Sequence, residues 1–375
     1  MTQTPQTPLS YEQAGVQYDL IDPLKVAAQR AAAATGAHLG AHGYAEVTAS
    51  RGESAYVVDV GPFYLASIVE CLGTKTLVAD EMQRLQGHEG GPHHYADIAQ
   101  DTLAMAINDL ITVGATPLVV QAYWAAGGSE WFTDEQRARA LVRGWKDACD
   151  RCGVAWGGGE TPALAGVVEA GRIDLAASCT GLVKPKERLS LGDDLATGDA
   201  IVLLASSGIH ANGLSLARKL AERLPQGYLT EIEPGLSYGA ALLAPTTLYS
   251  PVTEALWQAG LRVHYAANIT GHGWRKLLRH PGAFRYRMHK LPPVPAVLRY
   301  IQQQAAMDDA EAYGTFNMGA GFALFMPAEA AEAAVEVARH CGVAAWVAGV
   351  VEDGPREVLI EPLGIRFSGE DLKLR

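Results

Sequence analysis

Apolar positions recur along the chain with two different spacings, and these spacings predict helices and strands that follow one another. From 95 to 113, Ile98, Leu103, Ile107 and Leu110 recur at helical spacing, so this segment is predicted to be a helix. Further helices are predicted at 133–152, 214–224, 251–259 and 328–341. Short apolar runs bounded by glycine, proline or polar residues predict strands at 56–60, 64–70, 118–123, 154–156, 173–183, 200–205, 263–268, 321–326 and 345–351.

Strands and helices alternate in both halves of the chain, which is typical of an α/β or α+β protein built of two layers. The polar segment 184–199 interrupts this alternation. It predicts a domain boundary near residue 185, with an N-terminal domain at 1–185 and a C-terminal domain at 186–375. The helix at 133–152 is predicted to begin at Thr133, because Gln136 completes a capping-box pattern.

The composition excludes several classes of protein. Of 375 residues, 49% are hydrophobic and 19% are charged, so the chain can bury large cores and is not intrinsically disordered. The net charge of −11 offers no basic face to a phosphate backbone, so nucleic acid is not an expected partner. No apolar run reaches the ~18 residues of a membrane span, and 1–10 lacks the apolar core of a signal peptide. We therefore expect a cytoplasmic protein without a membrane partner.

The cysteines do not indicate a disulfide framework or a zinc site. There are five of them, an odd number. Cys149 and Cys152 have CxxC spacing, but no second such pair and no histidine pair at zinc-binding spacing accompanies them. We expect two ordinary thiols at the end of a helix.

The first candidate site follows the predicted strand at 64–70. The segment 70–75 begins with the carboxylate of Glu70 and ends with Gly73, Thr74 and Lys75. A carboxylate in this place would hold a hard cation, and the lysine would contact phosphate oxygens. The alternative is a turn with an ordinary surface lysine.

The second candidate site lies on the predicted helix at 95–113. Asp97 and Asp101 are four residues apart and share a face, and Asn108 returns close to Asp101. Asp109 has apolar neighbours, so its carboxylate is expected near the buried boundary and should be paired or bound to a metal. The alternative is a solvated acidic face.

Glycine-rich segments after two predicted strands form the third and fourth candidates. Gly157, Gly158 and Gly159 would let the backbone approach a ligand closely, and Glu160 would then be a metal or nucleotide contact. The segment 206–213 stands between a strand and a helix, a geometry that favours anions. Its His210 would transfer protons near neutral pH. A flexible turn and a structural histidine are the respective alternatives.

Two further polar loops, 270–273 and 315–321, are each weak signals on their own. His88, His93 and His94 cluster near Glu89 and would suit a metal, but surrounding glycines and a proline favour a mobile loop.

Taken in order, these segments resemble the aminoimidazole ribonucleotide synthetase, or phosphoribosylformylglycinamidine cyclo-ligase, family. The resemblance runs from Leu9 to about Val351. The most specific match is Ser206-Ser207-Gly208-Ile209-His210-Ala211-Asn212-Gly213. The matching segments are 9–16, 106–110, 114–117, 158–161, 206–216, 243–246, 269–271 and 315–319.

The resemblance implies an ATP- and magnesium-dependent enzyme that closes the imidazole ring of a small ribonucleotide substrate. It implies that Glu70, Asp109 and Asp101 hold magnesium, that Lys75 contacts phosphate in catalysis, and that His210 transfers a proton. The residues implied to bind nucleotide or phosphate are Gly73, Thr74, Lys75, Gly158, Gly159, Glu160, Ser207, Gly208, Asn212, Gly213, Thr270 and Asn317. The implied assembly is a homodimer whose N-terminal domains pair strands into a shared β-barrel.

The chain departs from the family pattern at the nucleotide end. Glu70-Cys71 stands where the family has Asp-Gly, Gln29 aligns with a usual lysine, and His272 interrupts a run of glycines. Two alternatives to the cyclo-ligase therefore stay open. One is a related ATP-dependent enzyme with another substrate, and the other is a non-catalytic nucleotide-binding relative.

Overall fold

The computed structural model describes residues 18–87 and 93–372. The family-like segment 9–16 and the pair His88 and Glu89 lie outside these residues. The helices are α1 (Tyr18–Thr35), α2 (Lys75–Gln86), α3 (Tyr95–Leu110), α4 (Glu135–Cys152), α5 (Leu214–Ala221), α6 (Tyr238–Leu242), α7 (Ser250–Gln258), α8 (Ala296–Gln304), α9 (Asp309–Thr315) and α10 (Ala331–His340). The strands are β1 (Ala45–Glu46), β2 (Tyr56–Asp59), β3 (Tyr64–Cys71), β4 (Thr116–Ala126), β5 (Ala155–Glu160), β6 (Ile173–Val183), β7 (Ala200–Ala205), β8 (Glu231–Glu233), β9 (Leu236–Ser237), β10 (Tyr265–Asn268), β11 (Phe284–Met288), β12 (Ala320–Met326), β13 (Ala345–Asp353), β14 (Glu357–Ile360) and β15 (Ile365–Ser368).

The first half of the chain forms a six-stranded sheet in the order β1-β2-β3-β6-β4-β5. Neighbouring strands are antiparallel except β4 and β5, which are parallel. Every second residue of β6 is buried, because α3 covers one face of the sheet and α4 packs against α3. The opposite face carries partly exposed side chains.

The predicted start of the helix at Thr133 is wrong by two residues. Thr133 closes the preceding turn by donating its hydroxyl to the Glu130 carbonyl at 2.7 Å. Asp134 is the N-cap instead, and its carboxylate accepts the Arg137 N–H at 3.0 Å.

The second half forms a seven-stranded sheet in the order β10-β12-β7-β13-β11-β14-β15. All of β12 and nearly all of β7 are buried at its centre, with α10 packed against β7 and β13. The predicted class, a two-domain mixed α/β fold, is confirmed. Within the described ranges, no helix has both the length and the apolar character needed to cross a membrane.

The two halves meet along α3. Asn108 on this helix donates its amide to the Thr247 carbonyl at 2.8 Å and accepts the Tyr249 N–H at 3.0 Å. Gln100, two turns earlier, donates to the Thr246 carbonyl at 2.7 Å. The segment 244–249 of the second half is thereby fixed along the polar face of the helix that carries the predicted carboxylates.

Candidate active site

Glu70 and Asp109 meet where the sheet of the first domain faces the second. Glu70 lies one residue before the end of β3, and Asp109 lies in the last turn of α3. Asp109 is 8% exposed and accepts the Asn268 amide at 2.7 Å, which ties it to the end of β10. Burial and the negative charge of Asp109 raise the pKa of Glu70 to about 7. This is a desolvated pair of like charges.

Two cations lie within electrostatic range of this carboxylate pair. Lys276 and Arg279 belong to the 3₁₀ segment Gly273–Arg279. Burial and the charge of Arg279 lower the pKa of Lys276 to about 8, although Asp109 and Glu70 act in the opposite direction. The Arg279 guanidinium also donates to the Ser54 hydroxyl of the first domain. Sequence reasoning missed both cations; the available signal was a pair of basic residues three apart, directly after the loop 270–273.

Lys75 and Asp101 contact each other and not the Glu70–Asp109 pair. The Lys75 ammonium lies 2.8 Å from both Asp101 oxygens and 2.9 Å from the Ala244 carbonyl, and both side chains are fully buried. Asp101 also accepts the Thr246 N–H at 2.8 Å and the Thr246 hydroxyl at 2.5 Å. Burial raises the pKa of Asp101 against the opposing charge of Lys75.

The predicted magnesium set of Glu70, Asp101 and Asp109 is therefore not assembled as three ligands. Eight residues of helix separate Asp101 from Asp109, which corresponds to roughly 12 Å along α3. Across residues 18–87 and 93–372, no three His, Cys, Asp or Glu side chains are grouped closely enough to hold a metal ion. Glu70 and Asp109 remain as the paired carboxylates.

Gly73 and Thr74 form the turn between β3 and α2. Gly73 adopts the left-handed conformation with φ of 76°, and Thr74 occupies the N-cap position of α2. Helix α2 begins at Lys75. The surface-lysine alternative is wrong, because the Lys75 side chain points into the domain interface and donates to the Ala244 carbonyl.

His210 is buried within the segment 206–213. It adopts a left-handed backbone conformation with φ of 61°, and its Nε2 accepts the Ser207 N–H at 3.2 Å. Burial and the charge of Lys75 lower its pKa to about 3. The ring is therefore neutral near pH 7. The Ser207 hydroxyl donates to the Pro245 carbonyl at 2.6 Å, which joins this segment to 244–249.

Asn317 holds the segment 206–213 against the loop that precedes β12. Its amide donates to the Gly208 carbonyl at 2.8 Å, and its Oδ1 accepts the Ser206 hydroxyl at 2.8 Å and the Gly319 N–H at 3.0 Å. The Asn212 amide nitrogen is buried and has no hydrogen-bond partner among the described residues. At Gly213 a Cβ would lie 2.3 Å from the Phe316 ring. The predicted loops 206–213 and 315–321 therefore pack against each other, and the Asn212 amide is a buried donor between them that lacks an acceptor in the described part of the chain.

Gly158, Gly159 and Glu160 lie in strand β5, so the predicted loop at this position is wrong. The strand continues to Glu160, pairs with β4, and is exposed along its whole length. A Cβ on Gly159 would lie 2.1 Å from the Ala122 carbonyl oxygen. Glycine is therefore required there for the close approach of two strands.

Thr270 begins a tight turn that leads into Gly273–Arg279. Its carbonyl accepts the Gly273 N–H at 3.0 Å, and His272 has a left-handed backbone with φ of 70°. A Cβ on Gly273 would lie 2.2 Å from the Tyr313 carbonyl, so this turn packs closely against α9. The turn therefore fixes the orientation of the 3₁₀ segment that carries Lys276 and Arg279.

An open cavity of about 790 Å³ lies between α1 and the strands β2 and β3. Gln29 lines it on the helix side, and Ser54 and Val69 line it on the strand side. Val69 precedes Glu70, and Ser54 is the residue bonded to Arg279. The cavity therefore shares strand β3 with Glu70, but the described residues that line it do not include Glu70, Asp109, Lys276 or Arg279.

The remaining candidates do not form a further centre in the described residues. The His94 ring lies 3.0 Å from the Gln86 amide oxygen, and His93 accepts the Tyr95 N–H at 3.3 Å. All five cysteines are free thiols. Burial raises the pKa of Cys149 to about 12, which leaves this thiol unreactive.

Comparison with known proteins covers both domains. The profile described as AIR synthase related protein, N-terminal domain, matches residues 52–183, and the C-terminal domain profile matches 196–361. A phosphoribosylformylglycinamidine cyclo-ligase of Methanococcus maripaludis (strain C5) is 33% identical over 308 residues, which cover 81% of this chain and 82% of that protein. Its namesake in Rippkaea orientalis is 35% identical over 303 residues, or 79% and 84% of the two chains.

A solved structure with the same fold is hydrogenase maturation protein HypE in complex with ATP. Its TM-score is 0.56 at 20% sequence identity, over 82% of this chain and 84% of that one.

Proposed function

The chain belongs to the family of AIR synthase related proteins, and from this premise we propose that it is a phosphoribosylformylglycinamidine cyclo-ligase of purine biosynthesis. One observation carries the proposal: identity of 33–35% to proteins of that name extends over about 80% of both chains and through both domains. The reaction uses ATP to close the imidazole ring of aminoimidazole ribonucleotide. The formyl oxygen of the substrate is phosphorylated. A substrate nitrogen then attacks the formyl carbon, and phosphate leaves.

We propose that Glu70 and Asp109 hold magnesium. Magnesium in phosphoryl-transfer sites is commonly bound by one or two carboxylates together with substrate phosphates. A buried pair of carboxylates with mutual repulsion fits this ion, since a divalent cation would stabilise both charges. When bound, the ion neutralises charge on the phosphates of ATP. Asn268 fixes the Asp109 side chain for this purpose.

The cavity beside α1 is proposed to receive the nucleotide, since strand β3, which carries Glu70, forms part of its wall. Gln29 lines this cavity and would contact the nucleotide through its uncharged amide. The ATP bound by HypE supports nucleotide binding by this fold. The turn of Gly73 and Thr74 is assigned to phosphate, and Glu160 and the neighbouring glycines Gly158 and Gly159 to the nucleotide, on the resemblance alone.

The segments 206–213 and 315–319 are proposed to bind the ribonucleotide. The unsatisfied amide of Asn212 offers a donor. His210 is proposed to accept the proton released at ring closure. Its pKa is about 3 in the free protein, but a bound phosphate anion would raise that pKa toward neutrality.

We propose a cytoplasmic homodimer. The face of the first sheet opposite α3 exposes apolar side chains, which are Val69 (69% exposed) and Leu118 (48%). An exposed apolar face next to the open edge of β5 suits strand pairing with a second copy. Sedimentation velocity should give a mass near twice 39.8 kDa, and a Leu118→Arg variant should sediment as a monomer.

The test of function is turnover of formylglycinamidine ribonucleotide with ATP and magnesium, following ring product and ADP together. Equal amounts of aminoimidazole ribonucleotide and ADP would support the proposal. ATP hydrolysis without ring product would favour a related enzyme with another substrate. Neither ATP binding nor turnover would favour the non-catalytic relative.

A further inference from the structure

His210 occupies a strained and closely packed position. Its backbone is left-handed with φ of 61°, a conformation that costs free energy in a residue other than glycine. The residue is 3% exposed, and a Cβ on Gly321 would lie 2.6 Å from the Cε1 atom of the ring. The ring therefore fills a space that strand β12 leaves free only because residue 321 is glycine. Strain of this kind persists where the surrounding structure fixes a residue in one orientation.

One ring nitrogen of His210 is already engaged. The Ser207 N–H donates to Nε2 at 3.2 Å. Because a backbone N–H can only donate, Nε2 holds a lone pair, and the neutral ring carries its proton on Nδ1. Nδ1 has no hydrogen-bond partner among the described residues, and it is not sealed from solvent, in contrast to the buried Asn212 amide nitrogen. The free protein therefore offers an Nδ1–H donor at this ring.

The backbone of Ser207 is held from the side of the first domain. Its hydroxyl donates to the Pro245 carbonyl at 2.6 Å. Pro245 lies between two residues that the buried pair of Lys75 and Asp101 holds by hydrogen bonds of 2.9 and 2.8 Å. The acceptor of the Ser207 hydroxyl is thereby fixed, and the N–H of the same residue is fixed against His210.

We infer that Ser207 is a positioning residue for His210: it fixes the ring as the Nδ1–H tautomer, and Nδ1–H donates a hydrogen bond to an anionic oxygen of the ribonucleotide. This oxygen belongs either to the phosphate or to the formyl group on which charge develops. The inference rests on the proposed function for the identity of the ligand. It assigns the Ser207 hydroxyl to the support of His210 and not to direct contact with phosphate.

The same arrangement restricts where His210 can take up a proton. At ring closure a substrate nitrogen loses a proton, and the lone pair that can accept it is on Nε2. The Ser207 N–H therefore has to leave Nε2 before the transfer. The product of the transfer is an imidazolium that carries a proton on each nitrogen.

The tautomer can be measured without turnover, from the ring ¹⁵N chemical shifts of protein labelled at histidine. At pH 7, His210→Gln would identify the His210 signals by their loss. We expect a protonated Nδ1 and an unprotonated Nε2 in the wild type. Ser207→Ala removes the hydroxyl anchor and should raise the proportion of the Nε2–H tautomer by about threefold or more, whereas Ser207→Thr should keep the wild-type pattern. A wild-type ring protonated at Nε2 would overturn the inference.

Two ligands, added without ATP, would identify the oxygen that accepts from Nδ1–H. A shift of the Nδ1 signal with ribose 5-phosphate would assign the phosphate. A shift only with formylglycinamidine ribonucleotide would assign the formyl oxygen. If neither ligand moves the Nδ1 signal, the donor role is overturned.

Kinetic constants separate positioning from a direct ligand contact. Ser207→Ala should lower kcat by about threefold to tenfold and leave KM for formylglycinamidine ribonucleotide within about twofold, and Ser207→Thr should recover most of kcat. Ser129→Ala, at an exposed serine of the first domain, should change neither constant. A rise in KM with unchanged kcat would show that Ser207 contacts the ligand and would overturn the inference. A wild type without turnover, but with the expected tautomer and its shift in Ser207→Ala, would refute the proposed function and leave the positioning role supported.

Discussion

The Lys75–Asp101 ion pair allows a quantitative prediction about stability. Lys75→Met removes the ammonium and leaves a fully buried carboxylate with only the N–H and hydroxyl of Thr246 as donors. Removing one partner of a buried ion pair costs about 3–5 kcal/mol, because the remaining charge is left uncompensated. With a urea dependence of about 1–3 kcal/mol per molar, the unfolding midpoint should fall by roughly 1–5 M.

The same variant should acquire a pH dependence whose sign is fixed. Burial already raises the pKa of Asp101 against the opposing charge of Lys75, and without that charge the pKa rises further. The folded variant then keeps a proton that the unfolded chain releases above its pKa of about 3.9. Stability of the variant should therefore fall, relative to wild type, by up to about 1.4 kcal/mol for each unit of rising pH.

Urea denaturation followed by tryptophan fluorescence at pH 5.5 and pH 8 would measure both effects. The matched variant is Lys75→Met with Asp101→Asn, which removes both charges but keeps an amide oxygen for Thr246. This double variant should regain most of the loss and show no added pH dependence. A midpoint for Lys75→Met within experimental error of wild type at both pH values would refute the assignment of Lys75 to the domain interface.

Three further predictions concern the site and its support. Glu70→Gln and Asp109→Asn should each lower turnover by about 100-fold or more, because each removes one of two proposed magnesium ligands. The control Glu332→Gln, at an exposed position of α10, should leave turnover unchanged. Full activity in both site variants would contradict the magnesium assignment. His210 has a pKa of about 3 when folded and about 6.5 when unfolded, so below pH 6.5 the unfolded chain binds the extra proton and stability falls on acidification by up to about 1.4 kcal/mol per unit. Urea midpoints at pH 7 and pH 5 should show this slope in wild type and a smaller one in His210→Gln; equal slopes would argue against a neutral buried ring. Gly159→Ala places a Cβ 2.1 Å from the Ala122 carbonyl and should lower the thermal midpoint by several degrees, whereas Gly40→Ala, with open space around it, should not.

The sequence predicted the buried elements well because their apolar pattern is continuous. The predicted helix at 95–113 is α3 followed by a 3₁₀ turn, and the predicted strand at 64–70 is β3 with one more residue. Strands β11, β14 and β15 were missed. In β11 only every second residue is buried, such as Tyr286, while Arg285 and Arg287 pair with Glu357 and Glu352. The charged residue Glu357 in turn interrupts the short apolar pattern of β14, although it is buried there.

The candidate site was predictable in part. Glu70 and Asp109 end adjacent elements of one domain, so local spacing was enough to select them. The partners of Lys75 and Asp101 come from residues 244–246, about 145 positions away from Asp101, and local spacing carries no information about that contact.

The preserved carboxylate pair bears on the choice between an enzyme and a non-catalytic relative. Burial and the charge of Asp109 raise the pKa of Glu70 to about 7, so folding has to hold two repelling groups together. A protein that needed only the fold would gain stability by replacing either group with a neutral one. A costly pair of like charges is what a working metal site would require, and it favours the enzyme.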